Sequence, residues 1–257
     1  VQYVNSNFTA ETSLSQANKM VNSNAKVIIA IATPSAIQAA TAASSKNLPV
    51  VYCAVTDATQ VANFSNLTGT SDIPDFTAQL KLVTEFMGKK DVKIGVLMST
   101  EESSDAAQIA SLQEAAKAYT GMTIETETVA DITTIDAKTD AILAKNVDCI
   151  VNLLDNTIVG KLQNILTKTN AAGIPVFGSE IEQVKAGCLA SASIDYVTVG
   201  KLSGRQADIL NGKTVSEVEP KTMENETYPY YNSEVLAKFP KLTLPTGIDG
   251  LKDVKAE

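Results

Sequence analysis

The apolar residues of this 257-residue chain fall into two alternating spacings. Val27 to Ile31 form an unbroken apolar run, too short for a helix, which predicts a strand buried on both faces. At Thr33-Pro34-Ser35 the period changes: Pro34 suits the first turn of a helix, Thr33 is a candidate cap, and Ile37, Ala40 and Ser44 recur at helical spacing. A small-residue helix start after a buried parallel strand aims backbone N–H groups and hydroxyls off the sheet's carboxyl edge, where anions bind. Val1 to Val4 reads as a preceding strand, followed by a helix capped by Thr9 or Thr12 with Leu14, Ala17 and Val21 on one face. Leu48 to Val55 reads as the next buried strand and ends in Thr56-Asp57, which completes a βαβαβ pattern. Asn63 to Asp72 is polar and turn-rich and reads as a segment crossing between lobes.

A second series starts at Pro74. Phe76, Leu80, Val83 and Met87 make one helical stripe that Gly88 can stop. Strands are predicted at Val92 to Met98, Thr123 to Val129, Cys149 to Leu154, Val176 to Gly178 and Gly187 to Asp195. The helices between them carry Ile109, Leu112 and Tyr119, then a start near Thr134, then Val159, Leu162 and Ile165. Strands alternating with helices of this length imply parallel sheets joined by right-handed crossovers. Tyr196 to Asn211 reads as a helix in which Gly200, Gly204 and Ala207 allow close approach of a neighbour, and the proline-bearing tail as irregular apart from a short helix at Ser233 to Lys238. The expected division is a first lobe of residues 1–71 with 196–232 and a second of 72–195 with 233–257.

Charge narrows the function. With 21 basic and 29 acidic residues the net charge is −8, and no basic cluster is present, which argues against a nucleic-acid or anionic-membrane surface. Histidine is absent, so the commonest general base and the usual zinc ligand are missing, and no cofactor is implied. Cys53, Cys149 and Cys188 lie far apart in apolar segments and read as buried free thiols. No apolar run of about 18 residues marks a membrane span.

Five predicted strand ends carry polar pairs: Thr33 with Ser35, Thr56 with Asp57, Glu102 with Ser104, Asp155 with Asn156, and Ser179 with Glu180. In parallel sheets all such ends share one edge, so two facing lobes would bring them to a single cleft. Helix amides and hydroxyls hold a carboxylate, and Asp or Glu holds an ammonium, a combination suited to a zwitterion. Solvated caps and turns account for any one pair alone. The chain has no GxSxG, GxxxxGK[ST] or GxGxxG motif, and adjacent acids such as Glu101-Glu102 at a helix start are ordinary dipole-satisfying charge. An enzyme therefore ranks below a binding protein.

The segments AIATPSAIQAA from Ala30, VVYCAVTDA from Val50, NLTGTSD from Asn66, KIGVLMSTEESSD from Lys93, LLDN from Leu153 and GSEIEQVKAGCLASASIDYVTVG from Gly178 resemble successive motifs of the ABC-transporter substrate-binding proteins that include aromatic-amino-acid-binding lipoproteins. The resemblance implies an α/β periplasmic-binding-protein type I fold with two Rossmann-like lobes, a small amino acid of aromatic type as ligand, and an ABC permease as partner. It implies an extracytoplasmic protein, in the periplasm or as a cell-surface lipoprotein. By motif, Thr33, Ser35, Thr56 and Asp57 would line the first lobe, and Glu102, Ser104, Asp155, Asn156, Glu180 and Asp195 the second lobe and hinge. Ala58 stands where the family often has proline, and Ser104-Asp105 where it often has Asn-Ser. The family's first strand and helix, ahead of Val1 to Val4, have no counterpart here, so the first lobe is expected to be incomplete, as a fragment or as a variant. An effector-sensing domain of a transcriptional regulator, which shares the fold, is the rival expectation.

Overall fold

The computed structural model describes residues 1–6, 10–210, 212–223 and 226–256. They form two compact units, Val1–Ile73 with Asp195–Glu224, and Pro74–Ile194 with Asn225–Glu257. The first unit opens with α1 (Ala10–Val21), β1 (Ile28–Ile31), α2 (Thr33–Ala43), β2 (Val50–Val55) and β3 (Leu67–Ser71). The second carries α3 (Phe76–Met87), β4 (Lys93–Ser99), α4 (Asp105–Ala116), β5 (Thr123–Val129), α5 (Ile135–Ala144), β6 (Cys149–Val151), α6 (Asn156–Val159), α7 (Leu162–Ala172), β7 (Val176–Phe177), α8 (Ile181–Ala186) and β8 (Ala190–Ile194). The chain returns to the first unit with α9 (Tyr196–Ile209) and β9 (Lys221–Thr222), and ends in the second with β10 (Thr227–Tyr231), α10 (Ser233–Leu236) and β11 (Lys252–Asp253).

In the first unit a parallel sheet runs β1-β2-β3-β9. One face packs Ile28, Ala30, Val50 and Tyr52 against Ala17 and Val21 of α1 and Ala36, Ala39 and Ala40 of α2. On the other, α9 lies over β2 and β3, where Ser203 Oγ donates to the Tyr52 carbonyl (3.3 Å) and Gln206 Nε2 to that of Gly69 (3.0 Å). The side chain of Tyr52 leaves no room opposite it: a Cβ on Gly69 would come 2.1 Å from the Tyr52 carbonyl oxygen and 2.5 Å from its ring.

Four sequence expectations fail here. Val1 to Val4 is not a strand; Val1 and Tyr3 are exposed and unpaired with any sheet. β1 is buried on one face only, with Ile29 49% and Ile31 67% exposed, because β1 is the outermost strand and α9 packs on β2 and β3. Thr9 and Asn211, named above for the ends of α1 and α9, lie outside the described residues, and Thr12 sits inside α1. Residues 67–71, read as part of a crossing segment, form the fully buried strand β3, whose Thr68 and Thr70 hydroxyls reach the Val218 carbonyl and Gln206. Gly200 and Gly204 face open space rather than a neighbour.

The second unit holds the parallel sheet β5-β4-β6-β7 and the smaller sheet β11-β10-β8. Alternation along β4 divides its core: Ile94 and Val96 join Leu80, Val83 and Phe86 of α3, while Leu97 joins Ile142 of α5 and Ile165 of α7. The α3 stripe is the predicted one, Asp75 caps it through a bond from the Ala78 amide (2.9 Å), and Gly88 ends it at φ 64°. The tail is less irregular than its prolines suggest. β10 pairs antiparallel with β8 from Thr227↔Ile194 to Tyr231↔Ala190, so residues 227–231 belong to the second unit and not to the first.

Candidate functional site

Parallel pairing sets the carboxyl ends of β1, β2 and β3 side by side. The Ala32 amide donates to the Cys53 carbonyl (2.9 Å) and the Asp72 amide to that of Val55 (3.3 Å), which ties the three ends together. Between β1 and α2 stands Ala32, at φ 71° and ψ 157°, backbone space that is otherwise glycine's. Ala32, and not Thr33 as expected, is the N-cap of α2; methyl groups accept no hydrogen bond, so no side chain caps this helix. Thr33 is buried in its first turn beside Pro34, and Ser35 Oγ lies 3.3 Å from Ser13 Oγ of α1. A second positive φ, 58° at Ala54, accompanies a bulge between Cys53 and Val55 that re-aims the end of β2.

Beyond the bulge, Asp57 is half-buried and caps the 3-10 turn Ala58–Val61. Its Oδ1 accepts from the Thr59 amide (3.0 Å) and hydroxyl (2.6 Å), and its Oδ2 from Gln60 Nε2 (3.0 Å). Partial burial pushes this carboxyl up, but those hydrogen bonds outweigh it and hold Asp57 below the ordinary value, ionised at neutral pH. Thr56 Oγ1 donates to Asp72 Oδ1 (3.0 Å), and the Tyr196 hydroxyl donates to Asp72 Oδ2 (2.9 Å). Burial raises the Asp72 pKa despite these two donors. Asp72 and Tyr196 were missed from sequence; the available signal was an aspartate directly after the alternating threonines of Leu67–Ser71. Asp195, assigned above to the second lobe and hinge, is in the first unit, where it caps α9 with bonds from the Val197 amide (2.9 Å) and the Thr198 hydroxyl (2.6 Å).

In the second unit, β4, β6 and β7 likewise end together. Asp155 is 1% exposed and fully engaged: Oδ1 accepts from the Thr157 (2.8 Å) and Ile158 (3.0 Å) amides, and Oδ2 from the Ser99 amide (2.8 Å). Asp105, at the start of α4, shares that Ser99 amide at 3.1 Å. Ser104 is buried, donates to Glu102 Oε1 (3.1 Å) and accepts from Gln108 Nε2 (3.0 Å). Asn156 is exposed in the first turn of α6. Glu180 caps α8 through the Glu182 (2.7 Å) and Gln183 (2.9 Å) amides, and burial raises its pKa. It also lines a groove of about 310 Å³ with Lys161, Gln163 and Ala186.

The predicted site residues thus fall into two edge clusters: Thr33, Ser35, Thr56, Asp57 and Asp195 in the first unit, Glu102, Ser104, Asp155, Asn156 and Glu180 in the second. Most of the carboxylates cap helices. The starts of α2, α4, α5 and α7 have no side-chain cap, and of these four only that of α2 follows a residue at positive φ.

Residues 1–238 match the family described as ABC transporter substrate binding protein. The chain belongs to that family. Members are extracytoplasmic components that carry small molecules to an ABC permease, and the two α/β units of this substrate-binding protein have the periplasmic-binding-protein type I fold. It is 30% identical over 265 residues to the tyrosine-binding protein of Clostridioides difficile strain R20291, covering 100% of this chain and 74% of that one. Among solved structures, the ABC domain from Streptococcus pneumoniae in complex with L-Trp superposes with a TM-score of 0.84 at 23% identity, over 95% of this chain and 84% of that one. The ligand-free, open structure of a Clostridium difficile substrate binding protein with adhesive properties gives a TM-score of 0.70 at 25% identity, over 95% and 83%. Among the described residues no helix is long and apolar enough to cross a membrane.

Proposed function

We propose that this substrate-binding protein takes up a free amino acid with an aromatic side chain, and that the ligand's carboxylate sits on the start of α2. The observation that carries this reading is the uncapped amide set behind strained Ala32, at the carboxyl edge of β1. Helix amides with no side-chain acceptor favour an anion, and strain of this kind is retained where it serves a ligand. At the end of the adjacent strand, Asp57 supplies an ionised carboxylate for the ligand's ammonium, with Thr56 beside it. Asp72, Tyr196, Thr33, Ser35 and Asp195 complete the first-unit edge; on the second unit Glu102, Ser104, Asn156 and Glu180 are the candidate contacts, and Asp155, with both oxygens on backbone amides, holds that edge in place. Similarity to a tyrosine-binding protein over the whole chain supports an aromatic amino acid.

The reading contains no chemical step. Asp57, Asp155, Glu180 and Asp195 are engaged as caps, and the ligand is held for delivery to the permease. The protein acts outside the cytoplasm, in the periplasm or as a lipid-anchored surface protein.

Calorimetry with L-tyrosine and tyramine tests the carboxylate seat, since the two differ by that group alone. A charge-assisted hydrogen bond contributes about 1.5–3 kcal/mol, so tyramine should bind about ten- to a hundredfold more weakly. Equal affinities would remove the ligand's carboxylate from α2.

A further inference from the structure

Two carboxyl groups of the second unit meet without a cation. Asp105 and Asp155 are each 1% exposed, and their Oδ2 atoms converge on one donor, the Ser99 amide, at 3.1 and 2.8 Å. Neither makes an ion pair with Lys or Arg among the described residues. The titratable groups acting on Asp105 are Asp155, hydrogen-bonded to it, and Glu102 from the intervening loop, both acidic. Two buried carboxylates so close cannot both stay ionised without a counter-charge.

We propose that Asp105 and Asp155 share one proton at neutral pH, and that this proton fastens the start of α4 to the β6–α6 connection. Hydrogen bonding fixes where the proton rests. Asp155 accepts three backbone N–H bonds, from Thr157, Ile158 and Ser99, and so carries the negative charge. Asp105 accepts only one backbone bond, with a long contact from Gln108 Nε2 at 3.4 Å, and so carries the proton and donates it to Asp155. Burial first, and then Asp155, push the Asp105 pKa up to about 9. The clasp closes residues 100–104 into a loop, and Ser104 and Glu102 within it are joined to Gln108, which in turn donates to the Leu154 carbonyl and accepts from the Leu154 amide. Asp105 is therefore a positioning residue for Glu102 and Ser104; that consequence rests on the ligand reading above, whereas the shared proton does not.

The sign of the pH effect follows from linkage. A folded-state pKa raised far above the ordinary 3.8 gives stability that is complete below that value, declines as pH rises, and is exhausted above about 9. Between those limits the unfolding constant gains about tenfold per pH unit from this proton alone. Asp105→Asn keeps the donor and shape and has no proton to lose. Its unfolding constant should therefore fall relative to the parent by about a thousandfold between pH 5 and pH 8. Infrared spectra of the intact parent chain with labelled aspartate give a readout without unfolding or ligand. A protonated-carboxyl band at pH 7 is expected that is lost in Asp105→Asn and kept in Asp72→Asn, the other buried aspartate with a raised pKa. Parallel pH profiles for parent and Asp105→Asn, or no protonated aspartate band in the parent at pH 7, would overturn the shared proton. Should Asp105→Asn not fold, bleaching of the parent's band only near pH 9 still supports the pair, and its absence at pH 7 still refutes it. Failure of amino acids to bind would leave these readouts unchanged and would count against the ligand reading alone.

Discussion

Aspartates at the ends of parallel strands have two available employments, and geometry separates them residue by residue. Asp155 gives both oxygens to three backbone amides in a buried position, so its work is to cap α6 and tie it to β4. Asp57 is half-buried and held ionised, and its charge is available at the edge of the sheet. Asp57→Asn keeps the shape and removes the charge, and is expected to weaken amino acid binding by about ten- to a hundredfold. The folded-state pKa of Asp57 lies below its ordinary 3.8, so its stabilising share is present above that value and is lost as pH falls through the lower one. Acid unfolding of Asp57→Asn should consequently show a shallower approach to the transition than the parent. From sequence alone these aspartates were indistinguishable: each follows an apolar run and precedes a helix. The number of amides that turn back on each carboxylate is a property of the loop conformation, and the Ala54 bulge that re-aims Asp57 leaves no signature in residue type.

At the scale of the element, the alternation of strand and helix was legible because apolar spacing changes sharply at Thr33-Pro34, at Asp75 and at Gly88. Those are the positions where chain direction does change. Strand β3 was not legible, since Thr68 and Thr70 bury hydroxyls that are satisfied by partners far away in sequence, Val218 and Gln206. Gly69 carries a testable part of that packing. Gly69→Ala would drive a methyl group into the Tyr52 backbone and ring, and thermal or denaturant unfolding should report a loss of about 3 kcal/mol. The one-sided burial of β1 could not be read either, because Ile29 and Ile31 look like core residues until the strand order makes β1 an edge. The alternation of bonds to β2 turns the Ile29 and Ile31 backbone groups outward along with an exposed apolar face, which invites association. This 257-residue chain should self-associate in sedimentation velocity, and Ile31→Lys should reduce that association while leaving the secondary structure intact.

For the whole molecule, the family and the two-unit α/β organisation followed from motif order along the chain, and the match over residues 1–238 carries the same conclusion. Sheet membership of the tail did not follow: Pro229 and its neighbours hid a strand that completes the β8 sheet by antiparallel pairing from a distance in sequence. The central claim is that the ligand is a free amino acid with an aromatic side chain. A thermal-shift titration of the protein against the common amino acids, myo-inositol and simple sugars addresses it directly. A ligand bound only by the folded state stabilises by about 2.7 kcal/mol at a hundredfold excess over its dissociation constant. L-Tyrosine or L-tryptophan should therefore raise the unfolding midpoint in a concentration-dependent way; silence from every amino acid together with a shift from a sugar or polyol would contradict the account.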